Sequence, residues 1–170
     1  MEGTSIDEER VLDNLFDLTM KNEWNEVEAA YRKYSSARRA KLTKSEETAL
    51  HVAISSYHSK RVSSSYENHI VGMIESIPEN EAFEILSMEN DKGNTPLHLA
   101  ATVGWLSICE CIASTSRNRE LISKRNLKGE TPLFVAAYHG QLDAFRFLHD
   151  HYKPKARATN RSAKQRTRTR

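Results

Sequence analysis

The sequence contains an internal repeat, and this repeat restricts the fold more than any other feature. Residues 91–104 (DKGNTPLHLAATVG) return as residues 127–140 (LKGETPLFVAAYHG), with eight of the fourteen positions identical at an offset of 36 residues. A fixed period of this size indicates stacked supersecondary units rather than one closed core. Because stacked repeats bind through extended surfaces, the repeat favours an interaction protein over an enzyme.

Each copy of the repeated segment has the residue order of a short helix with both ends marked. A threonine suits the N-cap because its hydroxyl accepts a hydrogen bond from an early amide. Proline suits the first helical position, and glycine can take the left-handed conformation that ends a helix. These residues are Thr95, Pro96 and Gly104 in the first copy and Thr131, Pro132 and Gly140 in the second, with Gly93 and Gly129 in the preceding turns. Return helices are predicted at residues 106–113 and 142–149.

Two weaker copies precede the clear ones. Thr48-Ala49-Leu50-His51-Val52-Ala53 begins like the motif 47 residues before Thr95, so this copy carries about eleven additional residues, which a polar loop at 58–65 can hold. Its return helix is predicted near residues 66–77. Residues 15–22 fit the same frame, with Asn22 in the glycine position. We therefore expect an all-α solenoid of about four helix-turn-helix repeats, the first degenerate and the second expanded, near residues 10–42, 43–89, 90–125 and 126–152.

The run Thr95-Pro96-Leu97-His98-Leu99-Ala100 is similar to the Thr-Pro-Leu-His-x-Ala signature of ankyrin repeats. More narrowly, the chain resembles plant ankyrin proteins whose full-length members end in a multi-span membrane domain with a Pro-Gly-Gly motif. That resemblance implies a scaffold that binds a partner protein, without catalysis, in stress, salt or defence signalling at membranes. The residues that carry it are Leu121, Ile122, Arg125, Asn126, residues 129–134 (GETPLF), Ala136, Ala137, His139, Gly140, Ala144, Phe145, Leu148 and His149.

The pattern stops after Asp150. Further repeats and membrane segments would be expected in the resembled family, but residues 153–170 hold eight Lys or Arg and no acid. We expect either a truncated member or a misread gene model, with a flexible acidic N-terminus at 1–9 and a disordered basic tail at 153–170. Membrane attachment would then require that the native protein continue into the family's membrane domain. Phe145, Phe147 and Leu148 should be exposed at the open end of the last repeat.

The basic tail leaves a second function open. Without it the chain has 25 − 8 = 17 basic residues against 23 acidic ones. The tail could bind nucleic acid or an anionic membrane, or act as a nuclear localisation signal. It has no aromatic residue for base stacking, so nucleic acid is not the expected partner. The expected location is intracellular, either in the cytoplasm or on the cytosolic face of the plasma membrane.

Residues that resemble catalytic or metal sites fall on structural positions of the repeat. A shift of 36 residues places Phe145 at Cys109 and Phe147 at Cys111, which predicts that both cysteines pack in the core. In ankyrin repeats the histidine of the signature holds neighbouring turns, so His51 and His98 are expected to be structural. No cofactor, metal ion or catalytic residue is predicted.

A partner is expected to bind where ankyrin repeats usually bind, through the turn tips and the exposed ends of the first helices. Tyr138 is the strongest candidate for an anchor because exposed tyrosines are enriched among interface hot spots. The predicted partner-binding residues are Lys92, Asn94, Thr102, Val103, Lys128, Glu130, Tyr138 and His139. The identity of the protein partner does not follow from the sequence.

Overall fold

The computed structural model describes residues 6–56, 64–113 and 118–152. The predicted basic tail at 153–170 and most of the predicted loop at 58–65 lie outside these described residues. Their functions therefore stay predictions.

The described residues form α-helices and one short 3-10 helix, with no β-strand among them, which confirms the all-α class. The 3-10 helix spans Asn118–Ser123. The α-helices are α1 (Ile6–Met20), α2 (Trp24–Lys33), α3 (Ser35–Arg39), α4 (Ala49–Ser55), α5 (Ser64–Glu75), α6 (Glu79–Leu86), α7 (Pro96–Val103), α8 (Leu106–Ala113), α9 (Pro132–Tyr138) and α10 (Leu142–His151).

Helices of successive repeats pack side by side in two layers. In one layer α1 contacts α4, α4 contacts α7, and α7 contacts α9. In the other layer α2 contacts α5, α5 contacts α8, and α8 contacts α10. A single continuous core runs between the layers, with Leu50, Leu97, Ile108 and Leu148 fully buried along it. Stacking thus buries the apolar face that no single hairpin could bury alone.

The helix-end residues predicted from the repeat take the expected conformations. Thr48 and Thr95 each accept a hydrogen bond from the amide three residues later, and Thr131 does the same with the Phe134 amide at 3.2 Å. Asn22 has a positive φ of 60° after α1, the conformation that a helix-ending glycine would provide. The degenerate first copy therefore ends its first helix in the same way as the strong copies.

A network of ion pairs joins the short helices that follow the return helices. Arg38, which is buried, and Arg39 both contact the carboxylate of Glu81, at 3.4 and 3.0 Å. Arg39 also contacts Glu84 at 3.1 Å. These contacts link α3 to α6 and so join the first repeat to the second. The repeat pattern of the sequence does not predict them.

The first and last described helices differ from the predictions. The helix α1 begins at Ile6, so residues 6–9, which the sequence analysis placed before the first repeat, belong to its first helix. Its first turn carries Asp7, Glu8 and Glu9, whose carboxylates favour the helix N-terminus. At the other end, the predicted exposure of Leu148 is wrong, because α10 packs on α8 and α9 and covers this side chain completely.

The turn before α4 contains one residue with a strained backbone conformation, and a glycine at that position would remove the strain. Glu46 stands two positions before the N-cap Thr48, as Gly93 does before Thr95, and has a φ of 57°. We expect Glu46→Gly to stabilise the fold by about 0.5 kcal/mol, since relief of roughly 1–2 kcal/mol of strain exceeds the added chain entropy of glycine. Urea unfolding would measure the gain. Lys44→Gly, in the same turn but without a positive φ, should lower stability, and a gain from both variants would contradict the strain argument.

Candidate functional site

Two buried histidines connect each repeat to the turn of the next one. The Nδ1 atom of His51 accepts from the Thr48 amide at 3.4 Å, and its Nε2 donates to the carbonyl oxygen of Asn94 at 3.1 Å. His98 repeats this arrangement, with the Thr95 amide at 3.2 Å and the carbonyl oxygen of Glu130 at 3.1 Å. Because a carbonyl oxygen only accepts, both rings carry their hydrogen on Nε2. The structural role predicted for these histidines is confirmed.

Burial keeps these histidines neutral. It lowers the pKa of His51 from 6.5 to about 4, although the hydrogen bond to the Asn94 carbonyl acts in the opposite direction. Burial lowers the pKa of His98 for the same reason. Neutral rings suit the arrangement, because a protonated Nδ1 could not accept from the threonine amide and hydroxyl.

Backbone hydrogen bonds align the turn tips into one continuous edge. The amide of Asp91 donates to the carbonyl oxygen of Ser45 at 2.9 Å, and the amide of Leu127 donates to that of Lys92 at 3.1 Å. These bonds place the tips of the second, third and fourth repeats next to one another. A partner lying along this edge can contact several repeats at once.

Hydrogen bonds of the Asn126 side chain hold the turn tips of the third and fourth repeats together. The Nδ2 group of Asn126 donates to the Asn94 amide oxygen and to the Glu130 carboxylate, both at 2.9 Å. Its Oδ1 atom accepts from the amides of Lys128 at 3.0 Å and Glu130 at 2.9 Å. Asn126 is buried, so these bonds are shielded from water and hold the two tips in register.

The eight predicted partner-binding residues fall into two groups. Asn94, Thr102, Val103 and Glu130 are only partly accessible. Asn94 and Glu130 hold the turns through the bonds above, and the carbonyl oxygen of Thr102 accepts from Gln141 Nε2 at 3.1 Å. The other four residues are exposed: Lys92, Lys128, Tyr138 and His139.

Two exposed apolar side chains escaped the sequence prediction. Phe134 is 52% exposed and stacks on Tyr138, with ring centroids 6.3 Å apart and planes at 16°. Leu127, at the tip beside Lys92, is 77% exposed. The sequence contains a signal for the exposure of Phe134, because this residue replaces the histidine of the signature. An apolar ring cannot form the hydrogen bond to a turn carbonyl that His51 and His98 form.

The paired cysteines pack as the repeat predicted. Cys109 is fully buried and Cys111 packs against the core from a partly accessible position. Burial raises the pKa of Cys109 to about 12 and that of Cys111 to about 11. Both are therefore thiols rather than reactive thiolates at neutral pH. In the described ranges, no three His, Cys, Asp or Glu residues are grouped closely enough to hold a metal ion.

Comparison with known protein families identifies the repeat. The family described as ankyrin repeats (3 copies) matches residues 62–160, which is more than half of the chain. The chain belongs to the ankyrin-repeat family. The matched residues include the expanded second repeat from its return helix onward, and both strong ankyrin repeats. The first hairpin, α1 with α2, lies outside the match but stacks on the ankyrin repeats as one further unit.

The ankyrin fold also occurs in a solved structure. A chain from the crystal structure of the yeast ribosomal protein Rps3 in complex with its chaperone Yar1 is similar to this one, with a TM-score of 0.63 and 18% sequence identity. The similarity covers 89% of this chain and 99% of that one. No curated protein sequence matches the ankyrin chain. None of the helices in the described ranges has both the length and the apolar character that crossing a bilayer requires.

Proposed function

We propose that this ankyrin-repeat chain is a scaffold that captures a partner protein along the edge formed by the turn tips and the ends of the first helices. The residues of this proposed surface are Lys92, Asn94, Thr102, Val103, Lys128, Glu130, Tyr138 and His139. One observation carries the proposal: hydrogen bonds between successive turns make these tips a single continuous surface. The family, whose members bind through such surfaces, supports it.

Within this surface the two groups of residues have different roles. The exposed side chains Lys92, Lys128, Tyr138 and His139 contact the partner directly. Asn94 and Glu130 hold the tips at a fixed spacing through Asn126. Because the tips are held before binding, little conformational entropy is lost when the partner docks, and a modest contact area can give useful affinity.

Replacement of two exposed residues tests the proposal. We expect Lys92→Ala combined with Tyr138→Ala to weaken partner capture about 30-fold, since an anchor at an interface centre contributes about 2 kcal/mol or more. Far-UV circular dichroism should be unchanged, because both side chains are exposed. Phe16→Ala, which truncates an exposed aromatic side chain of α1, is the matched control. A validated partner that bound the double variant as tightly as the wild type would contradict the assigned surface.

We also propose the narrower placement among the plant ankyrin proteins with a Pro-Gly-Gly membrane domain, acting in stress or defence signalling. The resemblance of residues 121–149 supports this placement. No contact within the fold bears on it. Translation of the downstream transcript in all frames tests it. Another repeat followed by apolar spans would support this placement, and an unrelated continuation would contradict it.

A further inference from the structure

The fourth repeat carries an exposed apolar surface that adjoins the predicted contact edge. Of the seven large apolar side chains that the described residues expose, four lie between residues 127 and 142. We name the basic aromatic patch as the surface made by Leu127, Phe134 and Tyr138 with the lysines at the tips, Lys92 and Lys128.

The patch is exposed because of its position in the array. In the third repeat, the ring of His98 is covered by the turn of the fourth, and Gly104 lies against the Gln141 side chain. The corresponding side of α9 has no such cover among the described residues. Phe134 and Tyr138 are one helical turn apart on this side and stack on each other, so they offer a preformed aromatic surface with few rotamers left to lose on binding.

Two exposed lysines lie at the turn-tip end of this aromatic surface. Residues 124–130 (KRNLKGE) contain three basic residues, of which Lys124 pairs with Glu89 at 2.8 Å, and one acid, Glu130. Residues 1–152 as a whole carry 17 basic and 23 acidic residues. Lys92 and Lys128 are exposed, and neither forms a salt bridge with a described residue. The basic charge therefore remains available to a partner.

We propose that the basic aromatic patch binds an acidic segment of a partner protein that carries one aromatic or long aliphatic anchor. The anchor packs on the rings of Phe134 and Tyr138, and the carboxylates pair with Lys128 and Lys92. The helix α9 is about 10 Å long, so an acid within about three extended residues of the anchor can reach the tip lysines. This inference rests on the proposed function and specifies the partner's chemistry.

Selection from a library of short random peptides on the immobilised full chain tests the inference. We expect the enriched peptides to carry net negative charge and a Trp, Phe or Leu. Tyr138→Ala should weaken their binding about 30-fold, and Lys92→Glu with Lys128→Glu at least tenfold, with most of the remaining affinity insensitive to salt. Arg10→Glu with Lys21→Glu, an equal change of charge on exposed positions of the first repeat, should leave binding within about twofold.

The outcomes separate the inference from the proposed function. Enriched peptides that are neutral or basic, yet lose binding with Tyr138→Ala, overturn the acidic partner and leave the scaffold surface in place. Acidic peptides that bind the Tyr138→Ala and lysine variants as tightly as the wild type overturn the patch as their site. If no enriched peptide depends on Tyr138, Lys92 or Lys128, both the inference and the assigned scaffold surface are wrong.

Discussion

Acidification is expected to unfold the repeat array, because His51 and His98 are buried in their neutral form between repeats. The unfolded chain binds protons with an ordinary histidine pKa near 6.5, whereas burial lowers the pKa of His51 to about 4. The stability contributed by neutral His51 is therefore complete above pH 6.5 and is lost as the pH falls towards 4. The loss from this residue alone is about 3 kcal/mol, a large share of a typical domain's stability.

Urea unfolding at a series of pH values measures this effect. We expect the free energy of unfolding to fall steeply between pH 6.5 and 4, and we expect His51→Gln to flatten that slope even if it lowers stability at neutral pH. His139→Gln, the same substitution at an exposed histidine of the array, is the matched control with which the slope of His51→Gln is compared. Equal slopes in the wild type and His51→Gln would show that this ring does not control the acid transition.

The helices of the strong repeats could be predicted from sequence because their ends are marked by local chemistry. The predicted return helix at 106–113 is the observed α8, and α9 begins at Pro132 directly after its N-cap threonine. The strained turn at Glu46 could not be predicted from residue type, since glutamate has no preference for a positive φ. The strain becomes apparent only when the repeats are aligned, because Glu46 then occupies the position of Gly93, two residues before the N-cap.

The candidate site could be predicted only in part, because the burial of its side chains depends on contacts between residues that are distant in sequence. The exposure of Tyr138 follows from its place at the end of a first helix. Asn94 looks like an exposed tip residue, but its side chain bonds to Asn126, 32 residues later. Glu130 is drawn inward in the same way when its carbonyl oxygen accepts from His98, 32 residues earlier. Such pairings appear only once the repeats are stacked.

Gly93→Ala is expected to be the most disruptive small substitution at the turn tips. Gly93 has a φ of 72°, and an added Cβ would stand 2.7 Å from the Leu127 backbone nitrogen and 3.0 Å from its Cγ. That nitrogen donates to the Lys92 carbonyl oxygen, so the methyl group would push apart the two tips that this bond joins. We expect a loss of roughly 3 kcal/mol, from backbone strain together with the weakened bonds between turns.

Gly129→Ala separates the two causes, because Gly129 has nearly the same φ, 79°, and no heavy atom within 4 Å of an added Cβ. This variant should lose only the cost of the left-handed conformation, about 1 kcal/mol. Parallel urea unfolding of both variants at neutral pH gives the comparison. If the two losses were equal, the neighbouring turn would be accommodating the added methyl group without cost, which would contradict the expected clash. A larger loss in Gly93→Ala means that the repeats depend on contact between their turns, the same contact that aligns the proposed binding edge.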